Sequence, residues 1–146
     1  MANDLVSDWM TPDPLVVYRH TTVPEAYQLM DEYKIRRLPV MDADDLIGIV
    51  TLGDLRAAKA STASSLSTYE LEYFLSQQMV EDSMTADPIT VKADVEISNA
   101  AQLMLAHKIG GLPVMDAGRL VGIITESDIF RALIELCGEK RPMNMG

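Results

Sequence analysis

The chain has a single cysteine, Cys137, in 146 residues. An internal disulfide is therefore excluded, and the count fits a reducing compartment, so a cytoplasmic location is expected. The lone thiol reads as a small, half-buried hydrophobe on the last helix. Histidine is almost as scarce: His20 and His107 lie far from each other and from Cys137, which argues against a dedicated zinc site. Basic residues are few, with 12 Lys and Arg against 22 Asp and Glu and a net charge of −10. Attraction to a nucleic-acid backbone works through Lys and Arg displacing counterions, so it is disfavoured, as is binding to anionic lipid. No apolar run approaches the ~20 residues that would cross a bilayer. The opening Met-Ala-Asn-Asp-Leu lacks the basic start and long apolar stretch of a signal peptide. Neither nucleic acid nor membrane is expected as a partner. There is also no P-loop, and no nucleophile is accompanied by a base and an orienting group, so catalysis is not expected. An anionic small ligand would need a local positive patch, which makes the placement of the few arginines important.

What the chain does have is the same text twice. Gly48-Ile49-Val50-Thr51-Leu52-Gly53-Asp54 returns as Gly122-Ile123-Ile124-Thr125-Glu126-Ser127-Asp128, a shift of 74 residues (48 to 122). The shift holds without a gap back through Leu38-Pro39-Val40-Met41-Asp42 and Leu112-Pro113-Val114-Met115-Asp116, to Met10-Thr11 against Met84-Thr85 and Pro14 against Pro88. A repeated unit usually cannot bury its apolar face alone and closes on its copy. At 48% hydrophobic residues the chain can build a real core, with disorder confined to the ends. The organisation reads as copy one over residues 1–60, a linker with a helix over 61–79, copy two over 80–137, and a flexible tail over 138–146.

Within copy one, Leu15-Val16-Val17 is a short strand candidate. Thr22-Val23-Pro24-Glu25 then opens a helix, with Thr22 as cap, Pro24 in the first turn and Glu25 completing a capping box. Ala26, Leu29, Met30 and Tyr33 follow at i, i+3, i+4 and i+7, one apolar face. A short strand is expected within Ile35–Asp42 and another over Leu46–Val50, joined by a turn at Ala43-Asp44-Asp45, with Pro39 near a strand start or on an unpaired side. A second helix begins near Leu52. Copy two repeats the order with Ala100, Leu103, Met104 and His107 on its first helix, where His107 takes Tyr33's place as a half-buried packing residue. Met30 and Met104 read either as core filler or as adaptable contact faces. Lys59 to Ser67 has a loop composition, and Ser67-Thr68-Tyr69-Glu70 opens a linker helix to Gln78 in which Leu71, Phe74 and Leu75 can pack.

Thr51-x-x-Asp54 and Thr125-x-x-Asp128 carry the chemistry, and they have two readings. Each is a helix capping box, in which threonine accepts from an early helix N–H and the carboxylate answers the helix's positive end. Each also places a hydroxyl, a carboxylate and free helix amides where an apolar strand meets a helix N-terminus, an arrangement suited to a ribose phosphate. Gly48 and Gly122, three residues before each threonine, would let another group approach the strand backbone. The copies differ at Arg36-Arg37 against Gly110-Gly111. The arginines read either as answering phosphate charge or as solvated partners of the many carboxylates, and the glycines as room for a purine or as a turn requirement. Lys34 and Lys108 read as exposed helix ends.

These residues resemble the cystathionine-β-synthase-type (CBS) domain, and the doubling resembles a stand-alone CBS pair, or Bateman module. The resemblance rests on Met10-Thr11-x-x-Pro14, Arg36-Arg37-Leu38-Pro39-Val40-Met41-Asp42 and Gly48-x-x-Thr51-x-x-Asp54, together with their counterparts from Met84 to Asp128. The linker, Ser67 to Leu75, is further similar to the CBS portion of acetoin-utilisation-type proteins. The resemblance implies an α+β fold of two βαββα repeats, related by pseudo-two-fold symmetry and packed through their sheets. It implies a regulatory module that senses an adenosine ligand (AMP, ADP, ATP or S-adenosylmethionine) in a cleft between the copies, with no required cofactor. The expected ligand residues are Arg36, Arg37, Leu38, Pro39, Thr51 and Asp54 in one site, and Gly110, Gly111, Leu112, Pro113, Thr125 and Asp128 in the other. A homodimer and an unidentified regulated protein are the expected macromolecular partners. The rival expectation is a ligand-silent scaffold for dimerisation or protein interaction.

Overall fold

The computed structural model describes residues 4–62 and 67–138. A short helix α1 (Val6–Trp9) and a two-residue strand β1 (Thr11–Pro12) come first. Copy one follows as β2 (Val17–Tyr18), α2 (Val23–Tyr33), β3 (Arg37–Asp42), β4 (Asp45–Thr51) and α3 (Leu52–Thr62). After α4 (Thr68–Gln77), a 3₁₀ turn (Val80–Asp82) and β5 (Thr85–Ala86), copy two runs β6 (Val91–Lys92), α5 (Ile97–His107), β7 (Gly111–Asp116), β8 (Arg119–Thr125) and α6 (Glu126–Cys137). The expected strand, helix, strand, strand, helix order is present in both copies.

Local chemistry accounts for these elements. Thr22 Oγ1 accepts the Glu25 N–H at 3.3 Å, with Pro24 in the first turn, and α2 then buries Ala26 and Met30 while Leu29 packs at the core's edge. The helix stops at Lys34, whose φ of 56° is left-handed, and α5 stops at Lys108 at 55°. Ala43 and Asp44 turn β3 into β4, and Leu38 pairs with Val50 and Pro39 with Ile49. β2 joins β3 in parallel from Val40 onward, so Pro39 lies one residue before the point where a second neighbour would need its missing N–H. Leu38, Val40 and Val50 point into one core with Val17, Val23 and Leu55, and their counterparts Leu112, Val114 and Ile124 line the other.

The compact units of the fold do not coincide with the copies drawn on the sequence. One unit is Pro14–Pro88; the other joins the chain up to Asp13 to the chain from Ile89 onward. Each copy is completed by a strap that is not contiguous with its own start. In the first unit the strap is the stretch after α4: the Val23 N–H donates to Gln78 O, the Val80 N–H donates to Thr21 O, and β5 pairs with β4. Arg19 holds this strap through Glu81 at 2.9 Å and reaches Asp42 at 2.8 Å, and these two carboxylates, Glu81 foremost, raise the guanidinium further above its ordinary range. In the second unit the strap is the N-terminal segment. The Val6 N–H donates to Val95 O, the Ile97 N–H donates to Asp4 O, and β1 pairs with β8. The sheets are accordingly β2-β3-β4-β5 and β1-β8-β7-β6.

Five expectations need correction. Tyr33 and His107 are exposed rather than inward. The left-handed lysines turn the chain so that Ile35 and Ile109 cover the core instead. Phe74 is half exposed, and Leu75 makes the packing contact of α4. Cys137 is exposed, because it falls off the Ile129, Ala132, Leu136 stripe of α6. Lys59–Thr62 continue α3 rather than forming loop, as the good helix formers from Arg56 to Ala60 carry the helix onward. Residues 63–66 of that expected loop, and the tail from Glu139, lie outside the described residues. Met30 and Met104 are buried in the two cores, which settles their two readings in favour of filler.

Candidate functional site

Both Thr-x-x-Asp motifs sit where the central hairpin of a sheet ends and a helix starts. In copy one Thr51 is the last residue of β4, opposite Arg37, and the Leu52 N–H donates to Arg36 O at 2.8 Å. In copy two Thr125 lies opposite Gly111, and the Glu126 N–H donates to Gly110 O at 3.1 Å. The backbone thus brings Arg36 and Arg37 beside Thr51 and Asp54, and Gly110 and Gly111 beside Thr125 and Asp128. Leu38 and Leu112 are fully buried core side chains, and Pro39 and Pro113 are fully buried as well. These four residues present almost no accessible surface to a ligand. Arg36 is exposed, whereas Arg37 is half-buried and already engaged in an interaction of its own.

The capping reading holds in the hydrogen bonds. Asp54 Oδ2 accepts the Thr51 N–H at 2.8 Å, and Thr51 Oγ1 accepts the Asp54 N–H at 3.1 Å, a reciprocal box. Asp128 Oδ2 accepts the Thr125 N–H at 2.9 Å and the Thr125 hydroxyl at 3.3 Å. Capping does not exhaust the first carboxylate. A carboxylate has about four acceptor positions, and one bond from Thr51 leaves most of those on Asp54 for a ligand's hydroxyls.

Gly48 and Gly122 prove to be packing glycines. A Cβ on Gly48 would run into the Met84 side chain and lie 2.9 Å from Thr85 O; on Gly122 it would meet Met10 and lie 2.9 Å from Thr11 O. The close approach expected at these positions is real, and the approaching group is the strap's Met-Thr dipeptide. This explains why Met-Thr and glycine recur together.

Two features were missed in the sequence. Arg131 donates to Asp128 Oδ1, an ion pair at i, i+3 along α6. That spacing is readable from sequence, but its counterpart in copy one is Ala57, so comparing only the strand starts passes over it. The second is a cavity of about 520 Å³ within the first unit, between α3 and the strap, lined by Asp54, Ala57, Ala58, Ser61, Gln78, Asp82 and Ser83. The Oε1 of Gln78, one of these residues, is buried with no hydrogen-bond partner among the described residues. The volume falls in the range of small-molecule sites, about 300–1,000 Å³.

Residues 6–61 and 80–135 each match the CBS domain. The fold is similar to a crystal structure of CBSX2, a protein of Arabidopsis thaliana, in complex with AMP, at 34% identity and a TM-score of 0.78, over 92% of this chain and 99% of that one. It is similar to the acetoin-utilization-type protein AcuB of Vibrio cholerae at 35% identity and TM-score 0.76, over 94% and 98% of the two chains. A CBS domain pair in complex with 5′-methylthioadenosine and S-adenosyl-L-methionine matches at 29% identity and TM-score 0.75, over 94% and 98%. Among curated relatives, inosine-5′-monophosphate dehydrogenase of Methanocaldococcus jannaschii is 37% identical over 121 residues, 82% of this chain but 21% of the enzyme's length.

Proposed function

The chain belongs to the CBS-domain family, as a tandem pair, and we propose that it is a regulatory module that binds an adenosine ligand at its Thr-x-x-Asp turns. The observation that carries this reading is the Asp54 site: a carboxylate with acceptor positions to spare, at a helix N-terminus, on the wall of a cavity large enough for a nucleoside. AMP bound to a similar pair, and S-adenosylmethionine with methylthioadenosine bound to another, support an adenosine compound as the ligand. Vicinal ribose hydroxyls would donate to Asp54, and the exposed Arg36 would answer a phosphate in an otherwise acidic chain.

We read the protein as a binding module and not an enzyme. Each motif aspartate is tied to its own threonine, an arrangement that holds a helix rather than one that moves a proton. The ligand regulates a partner only through its differential affinity for two conformations of the pair. Exposed Leu105, Phe130, Leu133 and Ile134 on α5 and α6 support a homodimer, for which light scattering would return twice the chain mass. No helix among the described residues is long and apolar enough to cross a membrane. The single exposed thiol of Cys137 supports placement in the reducing cytoplasm.

A thermal-shift panel of AMP, ADP, ATP, S-adenosylmethionine and NAD tests the reading. A compound at about 100 times its dissociation constant adds roughly 2.7 kcal/mol to stability. For a 146-residue chain that corresponds to a rise of about 5–10 °C. A flat response to all five would favour the ligand-silent scaffold.

A further inference from the structure

The two motif aspartates, matched across the repeat, do not have the same surroundings. Asp128 is 3% exposed and Asp54 is half-buried. Asp128 Oδ2 already takes two hydrogen bonds from Thr125, and Oδ1 takes the Arg131 guanidinium. Of about four acceptor positions on a carboxylate, three are used, and a vicinal diol needs two. Among the described residues the Asp54 carboxylate takes one hydrogen bond, from the Thr51 N–H. The Thr51 hydroxyl is turned the other way, accepting the Asp54 N–H rather than donating to the carboxylate.

The guanidinium contact traces to one position. Three residues after Asp54 stands Ala57, with no cation to offer; three residues after Asp128 stands Arg131. Arginine suits this place because its planar fork meets a carboxylate oxygen at short range and stays charged at any relevant pH. Among the described residues no guanidinium donates to the Asp54 carboxylate, although Arg36 and Arg37 stand just before and at the start of β3. Asp54 also lines the cavity between α3 and the strap, whereas a cavity of about 460 Å³ beside the second motif is lined by Gly110 and Glu126 but not by Asp128.

We propose that the chain binds one adenosine ligand, at the Thr51/Asp54 site, and that Arg131 keeps the Thr125/Asp128 site closed by occupying the carboxylate that ribose would need. This rests on the adenosine reading above and adds which site fills and what closes the other. Arg131 acts as a specificity determinant for occupancy: a ribose at the second site would first have to displace the guanidinium.

Isothermal titration with AMP tests it, using the wild-type chain, Asp54→Ala, Arg131→Met and the double variant Asp54→Ala/Arg131→Met. Methionine keeps the aliphatic stem of Arg131 over the helix while removing its charge. The wild type is expected to bind one AMP per chain, and Asp54→Ala to weaken that binding about 10- to 100-fold, the usual scale for hydrogen bonds to a charged group. Arg131→Met is expected to raise the stoichiometry to two, and the double variant to recover one site per chain. Recovery of wild-type affinity in a weakened variant by a second substitution is something a merely structural role for Arg131 would not produce. Two AMP per wild-type chain, one per Arg131→Met chain, or no recovery in the double variant would overturn the assignment while leaving adenosine binding intact. Failure of the wild type and of Arg131→Met to bind any adenosine compound would instead overturn the adenosine reading.

Discussion

Deleting the chain through Pro12 is expected to unfold the second copy before the first, although the deleted residues precede the first in sequence. Val6 is 0% exposed and belongs to the core formed by Leu112, Val114 and Ile124, with Trp9 and Met10 packed against its edge. Full burial of a valine contributes about 2–3 kcal/mol, and the partial burial of Trp9 and Met10 brings the loss to on the order of 5 kcal/mol. The backbone bonds from Val6 to Val95, Ser7 to Ala93 and Ile97 to Asp4 go as well, and β8 loses its β1 neighbour. Against a net domain stability of about 5–15 kcal/mol, a loss of that size is enough to populate the unfolded unit. Amide hydrogen exchange reads the result directly. Protection should fall over Gly111–Asp116 and Arg119–Thr125 and persist over Arg37–Asp42 and Asp45–Thr51. The opposite order would mean that the N-terminal strap does not complete the second unit.

The second large effect is expected at the glycines. Gly48→Val would place a branched side chain where Met84 and the Thr85 carbonyl already stand, the latter 2.9 Å from the new Cβ. Methionine can move aside, but a backbone oxygen in a paired strand cannot, so β5 must separate from β4. Overpacking of this kind costs typically 1–3 kcal/mol, and the loss of the strand pairing puts this case near the upper end, about 3 kcal/mol. Gly122→Val should behave alike through Met10 and Thr11. Urea titration of each variant would show the midpoint falling. A change within about 0.5 kcal/mol, the usual surface value, would show that the glycines are not packing positions.

These two predictions mark where reading the sequence stopped. The local signals were legible because their physics is local. Thr22 with Glu25 and Ser67 with Glu70 cap helices as their spacing implies, and the hairpin turn follows Ala43-Asp44. The repeat fixed which residues are equivalent and led to the CBS resemblance. It did not reveal that Met10-Thr11 serves the far copy. A two-residue strand has no periodicity of its own, and its pattern fits either partner equally well. The exchange is decided by long-range pairing, Thr11 against Ile123 and Thr85 against Ile49. The glycine signal was read correctly as close approach, but the approaching group could not be named before the straps were placed.

The candidate site was legible to the same extent. Thr51, Asp54, Thr125 and Asp128 stand at helix starts beside the residues expected with them, because adjacent strands carry Arg37 to Thr51 and Gly111 to Thr125. Leu38, Leu112, Pro39 and Pro113 offer no side-chain surface, since β3 and β7 are each buried over four consecutive residues and so on both faces. Which carboxylate stays open depends on Arg131 against Ala57, a difference outside the motif proper.

The central claim is that Thr51 to Asp54 form a ligand site and not only a helix cap. The most direct measurement is an amide-resolved NMR titration of the chain with AMP. Saturable shifts are expected at the Thr51, Leu52, Gly53 and Asp54 amides, because a ribose on the Asp54 carboxylate would perturb the capping bonds in which the Thr51 and Asp54 N–H groups take part. Saturating AMP that leaves those four amides unmoved would contradict it.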